Sequence, residues 1–368
     1  MTKETHIGHR IGAVAAFALL LSASSALAHH PSGATGGSSG PIVTEYADTL
    51  EAGSKGFYVT HEYIDLSRLS DETLIETALE DRDVHSLGII QSATLAVFYG
   101  VTDYLTIGAS LPWIRRSEIF EGEVEGEGHH GEEPVHGAEE AGHGAEEEEG
   151  EIEAEVEKLG TAEGIGDLWL TAQLRLFHDP GTGQAVSVLG GVKLPTGTTS
   201  DKDLEGNTFE AEFQPGSGSV DFELGAAAKH PMGPWALHTS ALYVFVQEGT
   251  QDVDLGDRFL YNGAVTYRLF GEEPGHHHDG GASPSHGHGA SLDLVLELNG
   301  EWSDKEVDSG ITDPDTGGNT IYLSPGVRVA SNGLSGFLSV GAPISNDYNG
   351  TQSEPDWRIV SGFSVVLP

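Results

Sequence analysis

The stretch GEEPGHHHDGGASPSHGHGA at 271–290 sets five histidines within thirteen residues of a chain that has no cysteine. Neutral imidazole is the commonest ligand for divalent transition metals. Glycine-rich slack would let His276, His277 and His278, with Asp279, and then His286 and His288, converge on one ion at little strain. A second group, His129, His130, His136 and His143, lies in EGEVEGEGHHGEEPVHGAEEAGHGAEEEEGEIEAEVEK among glutamates. A third pair, His29 and His30, stands where a mature N-terminus is expected. With no thiolate, and only Met1 and Met232, these donors suit zinc, nickel, cobalt or copper(II), as cargo or as a loop ligand. No resident cofactor is implied. The plain alternative is that both loops are solvated, acidic filler. In DPDTGGN, Asp313, Asp315 and Asn319 resemble the start of a calcium loop, but the twelfth position is Ser324 and not glutamate.

What could hold such loops is written in their flanks. SLDLVLELNGEW alternates Leu292, Leu294, Leu296 and Leu298 against Asp293, Glu297 and Asn299. DLWLTAQLRLF alternates Leu168, Leu170, Ala172, Leu174 and Leu176 against Asp167, Thr171, Gln173 and Arg175. Period two is the signature of a strand with one apolar and one wet face. The same pattern predicts strands near 56–67, 85–99, 104–117, 184–195, 218–229, 235–247, 257–270, 319–331, 334–345 and 356–367, for twelve in all. Alternate connections are tight: YGVTDY at 99–104, HDPGTG at 178–183, KHPMGPW at 229–235 and SNG at 331–333. The others are long and mostly acidic. Short periplasmic turns and long outer loops predict an all-β fold, a single transmembrane antiparallel up-and-down barrel of the outer-membrane type. By that parity the 118–160 loop is extracellular and the 271–290 loop periplasmic. Trp113, Trp235, Trp302 and Trp357 lie near strand ends, as interfacial residues do.

The opening MTKETHIGHRIGAVAAFALLLSASSALA predicts a signal peptide over 1–28, cleaved after Ala28. Residues 29–55 are expected to form a flexible Gly/Ser-rich periplasmic segment, and 56–368 the barrel. No run is long and apolar enough for a membrane-spanning helix. A formal net charge of −41 argues against nucleic acid and for cations as partners, beside outer-membrane lipid and small solutes.

The run GIGDLWLTAQLRLF, a short turn and then AVSVLGGVKLPTGTTS resemble the core of the outer-membrane family called MetA-pathway of phenol degradation. YGVTDYLTIGASLPW resembles that family's first hairpin. The resemblance implies an outer-membrane channel or transporter of a Gram-negative bacterium, without implying phenol as substrate. The His/Glu insertions depart from the family pattern, as does the terminal Pro368 where barrel chains commonly end in an aromatic residue.

The wet faces assign Asp167, Arg175, Lys193, Asp221, Glu223, Lys229, Arg268, Asp293, Glu297 and Arg328 to the lumen. Opposed charges there can line a water-filled path or bridge one another and close it. No serine elbow, zinc-protease or phosphate-loop motif is present, and GEGHHG lacks the strand–helix context of a dinucleotide site. A phospholipase-type barrel would need only a non-local Ser–His pair, for which His178 and His238 are the candidates, but rim or lumen histidines explain them as well, and the chain reads as a non-enzyme. The first functional reading is a channel for divalent transition-metal ions collected by the histidine loops. The alternatives are a passage for small aromatic or hydrophobic compounds and a non-conducting, metal-binding surface protein.

Overall fold

The computed structural model describes residues 40–124, 154–271 and 290–368. Twelve antiparallel staves close into one barrel. They are β1 (Lys55–Leu66), β2 (His85–Thr102), β3 (Leu105–Val124), a composite of β4 (Ala154–Ile165) with β5 (Leu168–Asp179), β6 (Gln184–Leu194), β7 (Phe222–Met232), β8 (Trp235–Phe245), β10 (Arg258–Phe270), β11 (Ser291–Ser303), β14 (Gly318–Ser331), β15 (Leu334–Tyr348) and β16 (Pro355–Leu367). The first and last staves seal the wall, from Lys55 opposite Leu367 to Leu66 opposite Pro355. Closure pairs the first and last staves, as strands in hydrocarbon require, while β4, beyond the β3–β5 pairing, has β3 as its one strand partner among the described residues.

The faces follow the alternation. Leu170, Leu174 and Leu176 on β5 and Leu294, Leu296 and Leu298 on β11 point outward and are exposed, while Asp293 and Glu297 between them are buried inside. Leu168 and Leu292 are half-buried on that same outer register. The tight turns all lie at one end. At Ser331–Leu334, Asn332 (φ 52°) and Gly333 (φ 78°) both take the left-handed conformation that a two-residue hairpin turn needs.

Two expectations are corrected. First, the outer loop does not begin at 118 and end at 160, because β3 runs on to Val124 and pairs with β4 from Trp113–Ile165 to Val124–Ala154. Glutamates hide the alternation there; Ile119, Leu159 and Ala162 become a buried cluster only when Phe209 and Phe213, from a distant loop, cover them. β3 meets β5 below this, over Leu105–Ser110, so β4 and β5 make one stave broken at Gly166–Asp167. Second, the segment expected to be a flexible tail up to residue 55 is ordered from residue 40, and Ile42, Thr44, Tyr46, Ala47 and Leu50 are buried inside the barrel.

The outer end is roofed. Helix α1 (Asp71–Leu79) is capped by Ser70, whose Oγ accepts from Thr73 N at 3.1 Å, and carries Asp71 and Glu72 in its first turn. It rests on β3 and β4. β9 (Val253–Asp254), β12 (Val307–Asp308) and β13 (Ile311–Thr312) form a small separate sheet that ties two outer loops together. The loop 195–221, between β6 and β7, folds inward.

Candidate functional site: the lumen path

The inner wall grips residues 41–50 as a strap across the lumen. Glu297, fully buried, accepts from the backbone N–H of Ile42 at 3.2 Å, Val43 at 3.0 Å and Thr44 at 2.9 Å. Arg328 Nη2 donates to Pro41 O at 2.6 Å, Gln173 Nε2 to Tyr46 O at 2.7 Å and Ser187 Oγ to Ala47 O. Leu50 N donates to Thr106 Oγ1 at 2.9 Å. Lys229 pairs with Asp48, and Arg175 Nη1 stands 3.9 Å from the same carboxylate. An irregular segment inside a barrel must satisfy its backbone groups from the wall; β3, β5, β6, β11 and β14 do so here, and on β8 Ser240 Oγ accepts from Glu45 N at 3.1 Å.

The in-folded loop has its own anchor. Asp167, at the β4–β5 break, accepts from Thr196 N (3.0 Å) and Gly197 N (2.8 Å) on one oxygen and from Ser217 N (2.9 Å) on the other. Gly197 and Gly216 pack backbone to backbone, and a Cβ on Gly216 would lie 2.7 Å from Gly197 Cα. Lys193 pairs with Asp221 and lies 3.7 Å from Asp167. Arg116 Nη1 donates to Gln214 O at 2.8 Å.

Between roof and strap the cavities form a descending series. The outer vestibule, about 380 Å³, is lined by His85, Arg116, Glu212, Phe213, Glu306 and Tyr348. Arg116, Glu212, Glu306 and Tyr348 also line the middle cavity, about 320 Å³, whose wall adds Trp169 and Val244. Below it, against the strap at Val43, a smaller pocket is lined by apolar Trp169, Leu242, Val244 and Leu260 together with Arg258, Glu301 and Arg358. On the periplasmic side, Tyr46, Lys229, His238, Thr266, Arg268 and Asp293 line a separate cavity of about 350 Å³. The inward register of β8 spells out the gradient: His238 lies below the strap, Ser240 at it, and Leu242 and Val244 above it. Trp169, Val244 and Val246 form a buried apolar cluster, joined by Leu255 and Leu260, and a second apolar group, Val295 and Phe337, packs on Ile42 of the strap.

The ten residues assigned to the lumen all sit on the inner face. Their task is mostly to hold things in place. Glu297, Arg328, Lys229 and Arg175 hold the strap, Asp167, Lys193 and Asp221 form the knot under the in-folded loop, and Arg268 pairs with Asp293. Glu223 is buried on β7. The metal ligands expected at His29, His30, His129, His130, His136, His143, His276, His277, His278, Asp279, His286 and His288 lie outside the described residues. In the DPDTGGN segment, Asp315 is paired with Arg82 at 2.5 Å, and Asn319 Oδ1 accepts from Tyr261 OH at 2.9 Å. His238 Nε2 faces Thr266 Oγ1 at 3.4 Å inside the lumen, whereas His178 lies exposed on β5. Sequence reasoning missed Trp169, although it shares the parity of Asp167 and Thr171, and it missed His85, which no local pattern marks.

Residues 136–342 match the family model described as MetA-pathway of phenol degradation. The chain belongs to this family. No curated protein matches the sequence. Among solved structures, an outer-membrane channel from Pseudomonas putida F1 is similar with a TM-score of 0.54 at 14% identity, over 87% of this chain and 98% of that one. Lower similarities are to the β domain of the Bordetella autotransporter BrkA (TM-score 0.41, 9% identity, 86% and 100% covered) and a Pseudomonas aeruginosa FadL homologue (0.39, 9%, 92% and 97%). Fold and family place the protein in the outer membrane of a Gram-negative bacterium.

Proposed function

We propose that this family member passes small apolar and aromatic compounds across the outer membrane. The observation that carries the reading is the apolar patch of Trp169, Leu242, Val244, Val246 and Leu260 on the lumen wall, beneath the vestibule and directly above the strap. A binding surface of this kind takes up a flat hydrocarbon ring through dispersion and loss of hydrating water, and gives nothing to a hydrated cation. The family's description, which names a phenol-degradation pathway, supports the same class of solute. This reading replaces the metal-ion passage expected from the histidine loops. Charged and polar groups flanking the patch, Arg116 above and Glu297 below, keep the resting path closed to bulk flow through the loop and strap they hold.

The test is initial uptake of a labelled neutral aromatic compound by intact cells, where lipopolysaccharide is otherwise the barrier. Trp169→Ala and Val244→Asn should each lower that uptake several-fold and leave uptake of a small sugar unchanged, with assembly checked by heat-modifiable gel mobility. Unchanged aromatic uptake together with altered zinc or nickel tolerance in a variant lacking the loop histidines would return the metal reading to first place.

A further inference from the structure

One cluster stands in the wall of the vestibule, apart from the apolar patch. His85 opens β2 at the vestibule, its side chain 6% exposed, with carboxylates from three other segments around it. Its Nε2 is 3.0 Å from Glu121 Oε2 on β3, the residue directly opposite in the ladder, and 3.7 Å from Asp83 Oδ1. Its Nδ1 faces Glu210 Oε2 and Glu212 Oε1, both at 3.7 Å, on the in-folded loop. Phe213 meets the imidazole edge to face at 5.0 Å and fixes the plane of the ring. One ligand atom from each of Asp83, His85 and Glu210 lies within 4.8 Å of the other two.

We infer that His85 Nδ1, Glu210 and Glu212, with Asp83 close enough to complete the set, form a site for a divalent transition-metal ion that pins the in-folded loop to the barrel rim. The 3.7 Å separations are long for hydrogen bonds and near the donor–donor edge of about 3.3 Å that a tetrahedral zinc site requires with bonds of about 2.0–2.1 Å. A hydrogen bond from Nε2–H to Glu121 sets the tautomer that leaves the Nδ1 lone pair free for the ion, the carboxylate–histidine–metal arrangement that orients such ligands. An imidazole with carboxylates selects borderline ions such as zinc, cobalt or nickel over magnesium. The entry path exists, since Glu210 and Glu212 are 49% and 32% exposed toward the vestibule. Bound there, the ion would join two segments distant in sequence, the start of β2 with Asp83 and His85 and the in-folded loop with Glu210 and Glu212, and would add to the loop's hydrogen-bonded anchors at the Asp167 knot and at Gln214. The inference stands apart from the proposed solute and holds whatever crosses the barrel.

The experiment uses the full chain, with the eleven loop and N-terminal histidines outside the described residues (His29, His30, His129, His130, His136, His143, His276, His277, His278, His286 and His288) replaced by serine and metal removed with chelator. Zinc calorimetry should give one site per chain. Cobalt should give the visible absorption of a nitrogen- and oxygen-liganded ion, and zinc should slow tryptic cleavage at the exposed Lys202. His85→Gln and Glu210→Gln should each weaken zinc binding at least tenfold and abolish the protection of Lys202. Glu210 lies on the loop and outside the wall, so its variant remains informative if His85→Gln fails to assemble. No saturable zinc binding, or equal affinity in the parent and both variants, would overturn the site.

Discussion

At the residue scale the most informative neighbours are Leu296 and Glu297, adjacent in β11 and opposite in environment: Leu296 is 49% exposed on the lipid face and Glu297 is fully buried. A charge at Leu296 must enter hydrocarbon, which costs about 2–4 kcal/mol at the bilayer midplane. Leu296→Arg should therefore lower the urea midpoint of the barrel folded into lipid vesicles. Glu297→Ala acts on something else, because its carboxylate serves the backbone N–H groups of Ile42, Val43 and Thr44 and no ladder bond. Hydrogen bonds to a charged group contribute about 1.5–3 kcal/mol each. Its loss should free the strap, raise single-channel conductance in a planar bilayer, and leave the urea midpoint nearly where it was. An unchanged conductance would show that the strap does not close the path.

At the element scale the roof depends on buried acids. Burial pushes Glu306, in the 304–317 loop, up to about 9, helped by Glu212 and Asp313. Burial also pushes Glu210 up to about 8 and raises Glu212, in both cases against the lowering effect of His85. Asp83, Glu121, Asp308 and Arg116 complete the charged groups facing them. A carboxyl raised above its ordinary value of 4.5 contributes stability that is fully present below that value and is lost as pH rises through the folded value. Docking of the in-folded loop should thus loosen between pH 5 and about 9 in metal-free protein. The chain has no cysteine, so a spin label at Glu205→Cys reports this loop alone. Its mobility should increase on going from pH 6 to pH 9, and the increase should shrink in the Glu210→Gln, Glu306→Gln double variant. A pH-independent spectrum would mean that these acids do not set the loop's docking.

At the scale of the whole molecule, a formal charge of −41 and a vestibule carrying Asp83, Asp308 and Asp313, joined by Glu210, Glu212 and Glu306 as pH rises through their folded values, favour cations at the outer mouth. Ion flow through the protein should be cation-selective, as read from the reversal potential across a salt gradient, and the selectivity should fall as salt rises. Anion selectivity would count against this account of the mouth. The preference of the mouth is separable from that of the patch: ions report the acidic rim, and apolar solutes report Trp169 and Val244.

The barrel, its strand faces and the end at which each turn lies were legible in the sequence because period-two alternation is local. Each of Leu294, Leu296 and Leu298 states its face without reference to any other strand, and a hairpin such as Asn332–Gly333 is encoded in its own residues. The ten lumenal charges followed from the same parity. What they do there was decided by contacts between residues far apart in the chain. Nothing in PIVTEYADTL says that it will be threaded into the barrel, because its partner Glu297 lies about 255 residues away and the segment has no alternation of its own. The acidic stretch on either side of the outer histidine loop concealed β4, since its apolar residues find their cover only in Phe209 and Phe213. His85 reads as an ordinary strand residue until the loop bearing Glu210 and Glu212 folds over it. Local periodicity determined the wall; the closing of the wall brought together the groups that fill it.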